Sequence, residues 1–238
     1  MIYKNLFRPL LFSLDAERAH EIGGGSLGIL SGATPVLSII RKLTQSSNQP
    51  VKAFGLKFPN AIGQAAGLDK DGMFPRASEA LGFGHIEVGT VTPLPQPGNE
   101  KPRLFRLKDE SALINRMGFN NLGADALRLK VSASYPKSKR HVPLGINLGK
   151  GKLTALGDAL DDYCKGFDSL ASLADYITIN ISSPNTPDLR KLHGSTYLEP
   201  LLYGIKNHRL KWSQLNKLPS PPCLLKISPD ESFKNLET

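Results

Sequence analysis

From Tyr176 to Ser182 the chain alternates: Ile177, Ile179 and Ile181 fall on one side, Thr178, Asn180 and Ser182 on the other. A strand with this period rests one face on hydrocarbon and turns the other to something polar. Ser183-Pro184 ends it, because Pro184 has no N–H to give a ladder. Similar runs recur, and strands are expected near 61–66, 85–91, 143–148, 176–181 and 223–228. The stretches between them predict helices near 73–81, 121–134, 158–173 and 195–215. Alternating strand and helix with crossovers of this length means a parallel sheet. Each strand has its polar or glycine-rich segment after it, which fits a (β/α) barrel and equally a doubly wound sheet.

Residues 1–45 carry a helical period instead. Leu6, Leu10 and Leu14, with Phe7 and Leu11, make an apolar stripe. Asp15 is the expected N-cap of a second helix, and Pro35 opens a third that runs to Leu43. This extension is either a cap packed on the main domain or a surface that dips into lipid headgroups. Lys4, Arg8, Arg41 and Lys42 flank its apolar positions. Gln45 to Gln49, followed by Pro50, reads as a linker, which divides the chain into 1–45 and 50–238.

Composition narrows the partners. At 238 residues with 40% hydrophobic and 21% charged positions, this is an ordinary globular chain of one large or two small domains. A net charge of +9 favours an anionic ligand, an anionic membrane or nucleic acid. The basic residues are scattered, which weakens the last. Cys164 and Cys223 lack metal or redox spacing and suit a reducing compartment. No apolar run approaches the roughly 18 residues of a membrane span, and Arg8, Asp15, Glu17 and Arg18 interrupt any secretory segment.

Some patterns are decoys. Gly23 to Gly28 satisfies G-x-G-x-x-G, but no strand precedes it and no acidic residue follows about 20 positions on. Gly149-Lys150-Gly151-Lys152 lacks the Ser or Thr and the spacing of a phosphate loop. Asn180-Ile181-Ser182 matches a glycosylation acceptor, but it sits on a strand. The five histidines lie far apart, and no metal is expected.

Three stretches carry chemistry. Ala65 to Gly72 follows the first strand, and its small residues let a flat ligand approach the backbone. Lys70 then either offers a charge to an anion or is a solvated lysine on a glycine turn. Asn115-Arg116-Met117-Gly118-Phe119-Asn120-Asn121 holds three carboxamides, which suit the amide edges of a pyrimidine or flavin, or serve to cap the next helix. Lys226 shares a strand face with Leu224 and Ser228, so in a barrel it points inward, where a lysine needs an anionic partner.

Five ordered motifs together resemble the dihydroorotate dehydrogenase family: Ala66 to Lys70, Glu87 to Pro93, Pro97 to Arg103, Asn115 to Asn121, and Asn180 to Pro187. The resemblance implies a (β/α)8 TIM barrel preceded by the helical extension. Ser183, where the soluble classes carry Cys, implies the membrane-associated, quinone-reducing class. On this resemblance Ser183 is the base that takes the C5 proton of dihydroorotate while hydride leaves C6 for N5 of FMN. Lys70, Asn115, Arg116, Met117, Gly118, Phe119, Asn180 and Asn185 are implied at the substrate. Ala66, Gly67, Leu68, Asp69, Lys70, Thr90, Asn147, Asn180 and Lys226 are implied at FMN. Residues 1–45 are implied to form a quinone tunnel and a peripheral membrane contact. That contact is on the cytoplasmic face of a bacterial membrane, or on the inner mitochondrial membrane if the source is eukaryotic.

The chain departs from the family in showing about five βα units, without the later strands that supply a Thr-Asn pair and a flavin-phosphate loop. It reads as the front of something longer, expected neither to close the barrel alone nor to hold FMN tightly. One alternative is therefore an inactive fragment. Another is an FMN barrel acting on RNA, such as a dihydrouridine synthase, which predicts a basic RNA-binding domain and a cysteine acid above the strands.

Overall fold

A computed structural model describes residues 3–44, 49–186 and 189–230. Residues 45–48 of the expected linker at 45–49, Pro187 of the fifth motif and the start of any helix after the fifth strand lie outside the described residues. A π-helical turn (Tyr3–Phe7) leads into α1 (Arg8–Phe12), α2 (Ala16–Gly32) and α3 (Thr34–Thr44). Asp15 caps α2 as expected, its carboxylate accepting from the N–H groups of Glu17 (2.9 Å) and Arg18 (3.2 Å). The glycine run Gly23–Gly28 lies inside α2. No single described helix is long and apolar enough to cross a membrane.

After a hairpin of β1 (Val51–Ala53) and β2 (Leu56–Phe58) come the βα units. In chain order these are β3 (Gly63–Gln64), α4 (Pro75–Ala80), β4 (His85–Val91), a second hairpin of β5 (Leu104–Leu107) and β6 (Ala112–Asn115), and α5 (Ala124–Ser134). Then follow β7 (Leu144–Leu148), α6 (Ala159–Leu170), β8 (Tyr176–Asn180), α7 (Ser195–Asn216) and β9 (Cys223–Lys226). Strands β3-β4-β7-β8-β9 pair in that order, all parallel, giving five strands of a (β/α) barrel.

Two expectations need correction. The first strand was placed at 61–66, but only Gly63 and Gln64 pair; beyond them the chain turns away and Gly67 N–H donates to Gly89 O at 2.7 Å. The two hairpins were not expected at all. The first turns on Phe54-Gly55, both at positive φ; a type I′ turn favours Asn-Gly or Asp-Gly there, so Phe-Gly gave only its glycine as a signal.

The two faces of the sheet do different work. Ile86, Val88, Ile146, Leu148, Ile177 and Ile179 pack against Leu127, Val131, Tyr163, Phe167 and Leu170 of the helices. The opposite face is polar. Glu87 Oε2 accepts from Tyr176 and Thr178 hydroxyls (3.1 Å each), and Glu87 Oε1 accepts from Asn147 Nδ2 (2.7 Å). The Tyr176 ring packs against Gly145, where an added Cβ would stand 2.1 Å from it. Alternation along each strand thus separates a dry outer core from a polar interior, which continues upward into the site.

Candidate active site

Because the strands are parallel, residues near their C-terminal ends meet, and the β4–β7 register shifts between Gly89 and Val91, around Thr90. Thr90 Oγ1 donates to Asn147 Oδ1 (2.6 Å); Asn180 Nδ2 donates to Thr90 Oγ1 (2.9 Å) and Asn147 Oδ1 (3.1 Å). Asn180 Oδ1 in turn accepts from Ser182 Oγ (2.8 Å), and Lys226 Nζ donates to that same hydroxyl (2.9 Å). Asn180 and Lys226 are ladder partners, so the lysine does stand on the polar face. The result is one hydrogen-bonded chain from Glu87 to Lys226 across four strands, which fixes each carboxamide's orientation.

Above this chain opens a cavity of about 320 Å³. Of the expected site residues, Ala66, Gly67, Lys70, Thr90, Asn115, Met117, Gly118, Phe119, Asn180, Ser183, Asn185 and Lys226 line it. Ser183 Oγ accepts the Asn185 N–H (3.2 Å), and Asn185 Nδ2 reaches across to Asn115 O (2.9 Å). Lys70 Nζ donates to Asn120 Oδ1 (2.8 Å) and touches Met117 Sδ (3.1 Å). Burial first, then the charge of Arg103, pulls the Lys70 ammonium down to about 8. His20 of α2 feels Lys70 too; burial first, then that charge, keeps its imidazole below the usual range.

Four expected residues do not line the cavity. The Asp69 carboxylate receives the N–H groups of Met73 (2.8 Å) and Phe74 (2.9 Å) ahead of α4. Burial raises its pKa. Leu68 is exposed to solvent, and Arg116 stacks on Phe105 at 5.1 Å. Asn147 sits beneath the cavity, fully buried in the chain just described. Sequence reasoning missed Arg190 and Asp230, which line the cavity and pair at 2.9 Å; Arg190 also donates to Ser182 O (3.3 Å). They lie on separate loops, and no spacing links them. Cys164 and Cys223 do not line this cavity, where a cysteine acid would have to stand. Burial pushes both thiols up to about 11.

Three cations (Lys70, Arg190, Lys226) face one carboxylate (Asp230) among carboxamides and small residues. That suits an anionic ring with amide edges. The family profile described as dihydroorotate dehydrogenase matches residues 49–237. The chain belongs to the dihydroorotate dehydrogenase family.

Its curated relatives include a dihydroorotate dehydrogenase (quinone) of Roseiflexus sp. (strain RS-1), 48% identical over 98% of this chain. That of Edwardsiella ictaluri (strain 93-146) is 49% identical over 96%. The chain spans 63% and 66% of those two proteins. Among solved structures it is similar to dihydroorotate dehydrogenase from Eimeria tenella in complex with ferulenol. The TM-score is 0.73 and the identity 32%, covering 92% of this chain and 61% of that one. The helical extension falls outside the family profile, but the alignments to the quinone enzymes run through it.

Proposed function

We infer that this chain carries the dihydroorotate-oxidising site of a quinone-dependent dihydroorotate dehydrogenase of pyrimidine biosynthesis. The observation that carries the reading is Ser183 at the mouth of a cavity shared by Lys70, Asn115, Asn180, Asn185 and Lys226. A serine hydroxyl is a poor base, so it needs help to shed its proton. The Asn185 N–H donates to Ser183 Oγ, and three cations line the same cavity; both favour negative charge on that oxygen. Asn115 and Asn185 offer donors and acceptors to the ring of dihydroorotate, and Lys70 offers its carboxylate a charge.

The residues present fit FMN. At Gly67 an added Cβ would meet nothing within 4 Å, so the backbone leaves open space for a flat ring at the cavity wall. Ala66, Gly67, Thr90, Asn180 and Lys226 would hold FMN, which supplies the hydride acceptor when bound. Quinone reduction and peripheral attachment to the cytoplasmic face of a bacterial membrane are assigned to residues 1–45. The exposure of Leu6, Phe7 and Leu10 supports that assignment.

The test is single-turnover oxidation of dihydroorotate by the chain with FMN supplied in excess, followed by flavin absorbance. Ser183→Ala is expected to slow the step by about 10²–10⁴ while orotate still binds. Undiminished turnover by the variant ends the assignment. Deleting residues 1–45 is expected to abolish quinone reduction and spare oxidation by an artificial acceptor; retained quinone reduction refutes that role.

A further inference from the structure

Lys226 on β9 makes no ion pair with a described residue, and neither does Glu87 on β4. What joins them is the hydrogen-bonded chain beneath the cavity, and every bond in it points the same way. Lys226 Nζ donates to Ser182 Oγ, and Ser182 Oγ donates to Asn180 Oδ1. Asn180 Nδ2 donates to Thr90 Oγ1 and Asn147 Oδ1, and Thr90 Oγ1 donates to Asn147 Oδ1 as well. Asn147 Nδ2 closes the series on Glu87 Oε1.

Glu87 decides that direction. A carboxamide can be turned end for end and a hydroxyl can donate or accept, but an ionised carboxylate only accepts. Glu87 takes the Nδ2 end of Asn147 at 2.7 Å, which leaves Asn147 Oδ1 facing Thr90 and Asn180. Those two must then donate. Asn180 Oδ1 is left for Ser182, whose hydroxyl donates in turn and shows its lone pair to Lys226. The other Glu87 oxygen is filled by the Tyr176 and Thr178 hydroxyls at 3.1 Å each, so the carboxylate is held in place. Thr90, Asn147, Asn180 and Ser182 are all buried, and water offers them no second arrangement. Neither Glu87 nor Asn147 lines the cavity, whereas Thr90, Asn180, Ser182 and Lys226 do.

We propose that Glu87 is a positioning residue for the cavity: from two strands away its carboxylate sets which atoms of Thr90, Asn180 and Lys226 a ligand meets. The proposal rests on the reading of that cavity as the site of FMN and dihydroorotate, and adds to it the group that orients its walls.

The experiment follows FMN and orotate binding to the full chain by titration, together with the side-chain amide spectrum of protein carrying isotope-labelled asparagine. Glu87→Gln keeps the shape but can present either end. Its carbonyl faces the two hydroxyls and turns Asn147 over, or faces Asn147 and turns both hydroxyls. Doubled amide signals for Asn147 and Asn180 are expected. FMN affinity is expected to fall about tenfold, because a ligand that fits one direction loses affinity by the fraction of molecules holding it. Asn147→Asp sets two acceptors face to face and is expected to weaken FMN binding further. In the double variant Glu87→Gln/Asn147→Asp the new amide donates to the new carboxylate, whose other oxygen accepts from Thr90 and Asn180 as before. Its FMN affinity is expected to return to within about threefold of the native value, with one set of Asn180 signals.

A single set of signals with native affinity in Glu87→Gln overturns the proposal, and so does a double variant no better than Asn147→Asp alone. Doubled signals with unchanged affinity for both ligands also overturn it, since direction then matters to the fold and not to the ligand. A native chain that takes up neither FMN nor orotate refutes the reading of the cavity, and the proposal falls with it.

Discussion

Lys70 is a buried cation that costs stability, and Lys70→Met exposes the cost. Its ammonium titrates near 8 instead of 10.5, chiefly because folding removes it from water. At about 1.4 kcal/mol for each pH unit, that drop corresponds to about 3 kcal/mol against folding. The side chain keeps some access to solvent and donates to Asn120, so about 1–3 kcal/mol is the expected net gain on replacing it. Methionine keeps most of the length, one atom short of the ammonium, and fills much of the same space beside Met117 without a charge to desolvate.

The sign follows from linkage. The folded pKa lies below the unfolded one, so between pH 8 and 10.5 the unfolded chain binds more protons and this group's contribution to stability rises with pH. Below pH 8 the full penalty is present. Lys70→Met is therefore expected to be more stable than the native chain at pH 7, with an advantage that shrinks towards pH 10.5. Urea unfolding of both proteins at pH 7 and pH 10 measures the difference, in which other titrations cancel. A variant less stable at pH 7, or one whose advantage is the same at both values, refutes the reasoning. Orotate affinity should fall in the variant even as stability rises.

Two further perturbations test the frame around the site. Gly145→Ala puts a methyl 2.1 Å from the Tyr176 ring, so the ring must move and its hydroxyl must leave Glu87; a loss of about 2 kcal/mol or more is expected in thermal melting, and an unchanged midpoint contradicts this packing. Glu17→Gln leaves the buried Arg103 guanidinium without its carboxylate, now 2.7 Å away, and is expected to cost about 3 kcal/mol and to make residues 1–45 protease-sensitive at neutral pH. The Arg103 hydrogen bond holds the Glu17 carboxyl below its ordinary value. This contribution is therefore lost as pH falls through that lowered pKa, and the variant should lack that acid limb.

What the sequence revealed, and what it hid, divides along physical lines. The alternation in β8 was legible because one face meets helices and the other meets polar groups. Lys226 could be assigned inward for the same reason. The β5–β6 hairpin was hidden because β6 is exposed along its whole length, so burial imposed no period. Its turn also places Ser111, not a glycine, at positive φ. Arg190 and Asp230 were hidden because their pairing depends on how two loops meet above the sheet, which neither segment records locally.

The motif after β3 teaches a different lesson. Asp69 and Lys70 are adjacent and were grouped together at one ligand, yet their side chains part. The Asp69 carboxylate is consumed by two backbone N–H groups ahead of α4. The Lys70 ammonium enters the cavity beside Asn120. The loop can present a costly buried cation only because something rigid holds its backbone. That support comes from Asp69 and from the bonds Gly67 N–H to Gly89 O and Gly89 N–H to Asp69 O. A sequence motif marks both kinds of residue alike. Only geometry separates the group that lines the cavity from the one that holds its backbone in position.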